Sequence, residues 1–88
     1  MSKNELMNAM EINTAAIKDG KEQIKKLNKA LEIIEAYGNE YGQLLNAIVD
    51  INNAIGFQME RIATSEAFQK KRKKQLKLIE QLEALDNE

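Results

Sequence analysis

Carboxylates are the side chains of this sequence best suited to chemistry, because it contains neither histidine nor cysteine. Glu32 with Glu35, and Glu80 with Glu83, are spaced so that each pair shares one helix face. Metal sites of this kind in helical bundles use a histidine beside the glutamate, and the usual general bases, nucleophile dyads and zinc ligands are missing too. We therefore expect no enzymatic activity, no metal site and no cofactor, and interpret these glutamates as solvated.

A basic cluster between residues 70 and 77 is the most pronounced charge feature. Such a block is usually either a solvated face or a contact site for polyanions, and about five or six phosphate contacts support salt-sensitive, non-specific binding of nucleic acid. Acidic residues elsewhere balance it, since the net charge of the chain is −1. A solvated face, nucleic acid, an acidic protein surface and anionic lipid all stay open. The cluster consists of Lys70, Lys71, Arg72, Lys73, Lys74 and Lys77.

Composition predicts one small helical domain over residues 1–88. The chain has no proline and is rich in good helix formers, which favours helix nearly everywhere. A domain of this length has a thin core and no disulfide to support it, so we expect self-association into a homo-oligomer. No apolar run is long enough to cross a bilayer, and the first residues lack the apolar core of a signal peptide. We expect a soluble, cytoplasmic protein.

The stretch 36–42 predicts a turn between two long helical arms. Gly38 suits the position after a helix end, and Ser2 with Glu5 forms a capping box at the start of the chain. We predict arms over 3–37 and 43–87 joined by a turn at 38–42, with Tyr37 and Tyr41 closing the end of the pair. The fold class is all-α: a long antiparallel helical hairpin or small helical bundle with coiled-coil-like packing.

Apolar residues at seven-residue spacing predict the inward faces of both arms. In the first arm Gly20 falls within this pattern, which leaves open a helix end or a continuous helix with close backbone approach. In the second arm we expect Asn52 inward and a change of phase near Thr64, so that either one bent helix or two helices follow. The rows are Met10, Ile17, Ile24 and Leu31, then Leu27 and Ile34, then Leu45, Ile48, Asn52, Ile55, Met59 and Ile62 with Leu44 and Ile51 widening the stripe, and finally Phe68, Leu78, Leu82 and Leu85.

The two halves of the chain resemble each other. Residues 25–40 align with residues 73–88 at an offset of 48, with identical residues at eight positions. An internal helical duplication and chance similarity of lysine- and glutamate-rich helical sequence both explain this match. If the duplication is real, the segment 57–69 has no counterpart in the first half.

These observations favour a non-enzymatic protein–protein interaction module that acts as an adaptor, inhibitor or assembly factor through a helix face. Its expected contact surface is apolar and lies in the unmatched segment: Phe57, Met59, Ile62 and Phe68. The alternative is a nucleic-acid-associated regulator that uses the basic cluster. An obligate subunit of a larger coiled-coil assembly is a third possibility.

Overall fold

The computed structural model describes residues 2–38, 42 and 44–87. Over these residues the chain forms two helices and no strand: α1 spans Lys3–Tyr37 and α2 spans Leu45–Asp86. The helices pack along each other in antiparallel fashion, since Lys3 at the start of α1 forms an ion pair with Glu83 near the end of α2. The prediction of an all-α helical hairpin is confirmed.

Both ends of α1 are capped, and the Ser2 half of the predicted capping box is present at the first turn. The Ser2 hydroxyl oxygen accepts a hydrogen bond from the Glu5 backbone N–H at 3.2 Å, which satisfies one of the free donors of the first turn. Gly38 has a φ of +78°, which favours glycine, and its N–H donates to the carbonyl oxygens of Ile34 and Glu35. α1 therefore stops at Tyr37.

Tyr37 does not close the end of the helix pair as expected. Tyr37 is 86% exposed, so its ring does not cover the end of the helix pair. Tyr41 and residues 39, 40 and 43 lie outside the described part of the chain.

One face of α1 packs on α2 along its whole length. This face contains one large side chain from each turn and a neighbouring row of small ones, as expected for a coiled-coil-like seam. Both predicted rows of α1 lie on it, and Gln23 is among the small row. The inward residues are Leu6, Asn13, Gly20, Leu27 and Ile34, then Met10, Ile17, Ile24 and Leu31, and then Ala9, Ala16, Gln23 and Ala30.

α2 keeps a single seven-residue register from its first turn to its last. The expected change of phase near Thr64 is wrong, because the inward rows and the helix continue unbroken past this residue. Leu45, Asn52 and Met59, which we expected inward, are exposed. The residues directly before them face α1 instead: Leu44 and Ile51, which widened the expected stripe, and Gln58. The inward rows are Leu44, Ile51, Gln58, Ser65, Arg72 and Ile79, and Ile48, Ile55, Ile62, Gln69 and Leu76.

At Gly20 the two helices approach each other so closely that a side chain would not fit between them. α1 continues through this residue, which is buried against α2. A Cβ atom at Gly20 would lie 2.8 Å from Cγ1 and 3.1 Å from Cδ1 of Ile62. Of the two alternatives for Gly20, the structure has the continuous helix with close backbone approach.

One matched pair of the internal repeat, Ile34 and Leu82, differs in its packing. Ile34 is half-buried in the seam, whereas Leu82, its counterpart at the offset of 48, is 54% exposed. The resemblance between the halves therefore has no equivalent in the packing of these two residues.

The seam is narrow and its middle is polar. Among the described residues, Leu6 is the one apolar side chain that is fully buried. Gln69 stands in the inward row of Ile62 and Leu76; its Nε2 donates to the Thr14 hydroxyl oxygen at 2.9 Å, and its Oε1 is buried without a hydrogen-bond partner among the described residues. An unpaired buried amide oxygen is destabilising by about 1–3 kcal/mol.

The helices do not resemble membrane spans. Neither described helix has an 18-residue stretch with both the apolar character and the scarcity of charge that crossing a bilayer requires.

Gly20→Ala should lower the free energy of unfolding by about 1 kcal/mol, because the clash with Ile62 outweighs the gain in helix propensity. Gly56→Ala is the matched control: a Cβ there meets no described atom within 4 Å, so the same substitution should stabilise by about 1 kcal/mol. Denaturant unfolding at one protein concentration measures both. In an Ile62→Ala background the Gly20→Ala penalty should vanish; a penalty that persists there contradicts the close approach.

Gln69→Leu should raise the free energy of unfolding by about 1–2 kcal/mol, because it removes the unpaired buried oxygen and extends the apolar row. Gln81→Leu, on the exposed side of α2, should change it by less than about 0.5 kcal/mol. The comparison uses the same denaturant titration. Equal effects of the two substitutions would show that Gln69 is not a polar defect in the seam.

Candidate functional site

An apolar surface runs along one side of the hairpin, and we call it the apolar flank. Its side chains are large and exposed, and they belong to both helices. Seven-residue steps relate most of them, so they form rows beside the seam and not scattered positions. The apolar flank consists of Ile12 and Ile33 of α1 and Phe57, Phe68, Leu78, Leu82 and Leu85 of α2.

An ion pair shows that these rows lie on the same side of the hairpin. Asp19 Oδ2 is 3.1 Å from Arg61 Nη1 across the seam. Ile12 and Ile33 share the row of Asp19, at steps of seven and fourteen residues, and Phe68 shares the row of Arg61. The ion pair therefore joins the two halves of the apolar flank, although its own contribution to stability is at most about 1 kcal/mol because both partners are exposed.

The four residues expected to form the contact surface do not share one surface. Phe57 and Phe68 lie on the apolar flank and are 65% and 48% exposed. Ile62 packs against Gly20 in the seam, so it is not available to a partner without opening the hairpin. Met59 is 59% exposed but lies on the other side of the seam, because two residues along a helix correspond to about 200° of rotation from Phe57.

Phe57 and Phe68 border one shallow groove. Thr64 lies between them on the same side, and Arg61 and Asn13 reach the groove from the seam. The Arg72 guanidinium stands over the Phe68 ring, 5.4 Å from its centre, at a distance typical of a cation–π contact. The groove is lined by Asn13, Phe57, Glu60, Arg61, Thr64, Ser65 and Phe68.

The opposite side of the hairpin also exposes apolar side chains, namely Met7, Leu45, Val49 and Met59, and it differs in a group of lysines. We call this group the lysine flank: Lys18, Lys21 and Lys25 of α1 and Lys70 and Lys73 of α2. These lysines border two adjoining grooves that share Thr14 and Ile17 as their floor. None of the five makes an ion pair with a described carboxylate within 4 Å, although Glu22 and Glu66 stand at the edges. The two grooves are thus locally positive, whereas the full rows on this side of the hairpin hold six lysines and five glutamates.

The basic cluster is divided among several directions. Lys70 and Lys73 belong to the lysine flank, and Lys77 follows Lys70 by seven residues on the same side of α2. Lys71 falls in the row of Phe57 and Leu78 on the apolar flank. Lys74 is exposed on the outer side of α2, and Arg72 is half-buried against the seam. A single extended polyanion therefore reaches only some of these cations at once.

The carboxylate pairs are exposed and far from each other. Glu32 and Glu35 lie near the turn, whereas Glu80 and Glu83 lie near the opposite end of the hairpin, where Glu83 pairs with Lys3 at 3.0 Å. In the described part of the chain no group of three or more acidic residues is close enough together to hold a metal ion.

Sequence reasoning missed the α1 side of both flanks. Ile12 and Ile33 were not singled out, although their 21-residue separation is three heptads, and the lysines of α1 were not joined to the basic cluster. The seven-residue spacing was available as a signal. The spacing does not show which row of α1 lies beside which row of α2, and the pairing of the helices in the structure supplies this information.

Comparisons with known proteins found no match: no family model, no curated protein and no solved structure matches this chain. The geometry described above is therefore the basis for a proposal about its function.

Proposed function

We propose that this chain is a non-enzymatic protein-interaction module, an adaptor, inhibitor or assembly factor, that binds through its apolar flank. The observation that carries the proposal is the row of large exposed side chains on both helices beside a seam that buries almost nothing completely. Several large apolar side chains exposed on one surface, with polar residues between them, are typical of an interaction site. The cytoplasm is the proposed compartment, which rests on composition alone.

Phe57 and Phe68 are the proposed anchors of this contact. Aromatic side chains contribute a large share of binding energy at protein interfaces because they bury much area at a low entropic cost. Both rings border the same groove, and the intervening Thr64 leaves room between them for a side chain of the partner.

Phe57→Ala with Phe68→Ala should weaken partner binding by at least about tenfold, since both rings are exposed and available to a partner. Met59→Ala is the matched control, because it removes an equally exposed apolar side chain on the other side. Pull-downs from lysate at near-physiological salt, with nuclease, compare the three proteins. Identical recovery with wild type and the phenylalanine double variant would remove the apolar flank as the contact surface.

A second candidate function is binding of nucleic acid through the lysine flank. The observation that favours it is the convergence of lysines from both helices on adjoining grooves. Phosphates bind such surfaces in a salt-dependent way, largely without regard to sequence. No exposed aromatic ring is among the residues lining these grooves, so stacking on bases contributes little.

Lys70→Gln with Lys73→Gln should lower the salt concentration at which the chain elutes from heparin or DNA, because it removes two charges from the lysine flank. Lys71→Gln with Lys74→Gln removes the same charge from other directions and should have a smaller effect. No retention of the wild-type chain at low salt, or equal losses in the two variants, would exclude this candidate.

A further inference from the structure

The hairpin exposes far more surface than a folded chain of its mass normally does. Its accessible area is 6,972 Å² for 10.0 kDa. Monomeric proteins of that mass expose about 5,200 Å², so the excess is about 1,700 Å². Its radius of gyration of 20.2 Å also exceeds the value of about 12 Å for a compact chain of this length. Two helices side by side leave most of each helix uncovered.

A second hairpin would cover an area of the required size. A stable protein interface buries about 800 Å² on each partner, roughly half of this excess. The seam alone provides little stability, with Leu6 as the one fully buried apolar side chain among the described residues. Small chains without disulfides or metals commonly gain the missing core by association.

The charges beside the apolar flank allow two copies to meet there. Its rows and those adjoining them hold three acidic and three basic residues, so two such surfaces approach without net repulsion: Glu5, Asp19 and Asp50, and Lys26, Arg61 and Lys71. The two grooves of the lysine flank are lined by five lysines and two glutamates, so two copies whose grooves face each other would repel locally.

We propose that the occupant of the apolar flank is a second copy of this chain, so that two hairpins pack flank to flank as a four-helix bundle. The inference rests on the proposed function and names the partner of the same surface. A two-fold axis makes the interface self-complementary, with the same patch on both copies. Phe57 and Phe68 then fill the space between the hairpins, and the two lysine flanks face outward on opposite sides.

Sedimentation equilibrium on the purified chain, from low micromolar to several hundred micromolar, tests the mass of the assembly. A dimer of about 20 kDa, twice the 10.0 kDa of one chain, is expected. Phe57→Glu should weaken the dimer by at least about 100-fold, since the symmetric interface carries the change twice. Met59→Glu, with the same added charge on the other side, should leave it intact. A helical monomer over the whole range, or equal effects of both substitutions, would overturn the proposal.

A single introduced cysteine tests the same surface without disturbing its apolar residues. The chain has no cysteine of its own, so Thr64→Cys in the groove and Glu66→Cys on the lysine side each give one reactive thiol. With a bulky maleimide, Thr64→Cys should react more slowly as protein concentration rises, while Glu66→Cys should react at a constant rate. Protection of Glu66→Cys alone, or of neither cysteine, would contradict docking through the apolar flank.

The outcomes separate this inference from the proposed function. The purified chain could be a monomer while the phenylalanine double variant no longer pulls down a different protein that the wild-type chain recovers from lysate. The apolar flank would then bind a partner other than a second copy, which contradicts this inference but not the proposed function. If the chain dimerises through another face and the double variant loses nothing, both fall.

Discussion

The narrow seam between α1 and α2 is the contact on which every other feature of the hairpin depends. Its register fixes which rows of the two helices stand side by side, and the close approach of Gly20 to Ile62 anchors that register near the middle of the seam. The Asp19–Arg61 and Thr14–Gln69 contacts, on either side, follow from the same alignment. The seam covers only about a third of each helix surface. Its register therefore determines which of the remaining residues lie on each of the two flanks.

The polar middle of the seam distinguishes this hairpin from an optimised coiled coil. Gln58, Ser65, Arg72 and Gln69 occupy inward positions of α2 where leucine or isoleucine would pack more favourably. Polar residues at such positions can fix register and the choice of partner at a cost in stability. Because these polar residues reduce the apolar area of the seam, apolar side chains outside it become important for the proposed assembly. Phe57 and Phe68 supply such apolar surface on the flank.

The sequence predicted the fold class, the capping by Ser2 and Gly38, and the inward face of α1, because each depends on local spacing and backbone preferences. It placed one inward row of α2 correctly, that of Ile48, Ile55 and Ile62. For the second row it took Leu45, Asn52 and Met59, with Leu44 and Ile51 of the true inward row only widening the stripe. The second row was hard to recognise because Gln58 and Ser65 interrupt its apolar pattern, while the apolar Leu45 and Met59 face outward. Apolar character and position in the unmatched segment grouped Phe57, Met59, Ile62 and Phe68, which the helix rotation separates. Which flank each residue occupies depends on the pairing of helices, and no local pattern encodes it.

The dependence of thermal unfolding on protein concentration tests most directly whether this hairpin needs a second copy. If folding and association are coupled, the dimer is favoured by mass action, so Tm should rise steadily with concentration while the Phe57→Glu variant unfolds at a lower temperature. Circular dichroism at several concentrations over two orders of magnitude gives this result without labels or partners. A wild-type Tm that is independent of concentration, with full helicity at the lowest concentration, would contradict the account and show that the seam alone sustains the fold.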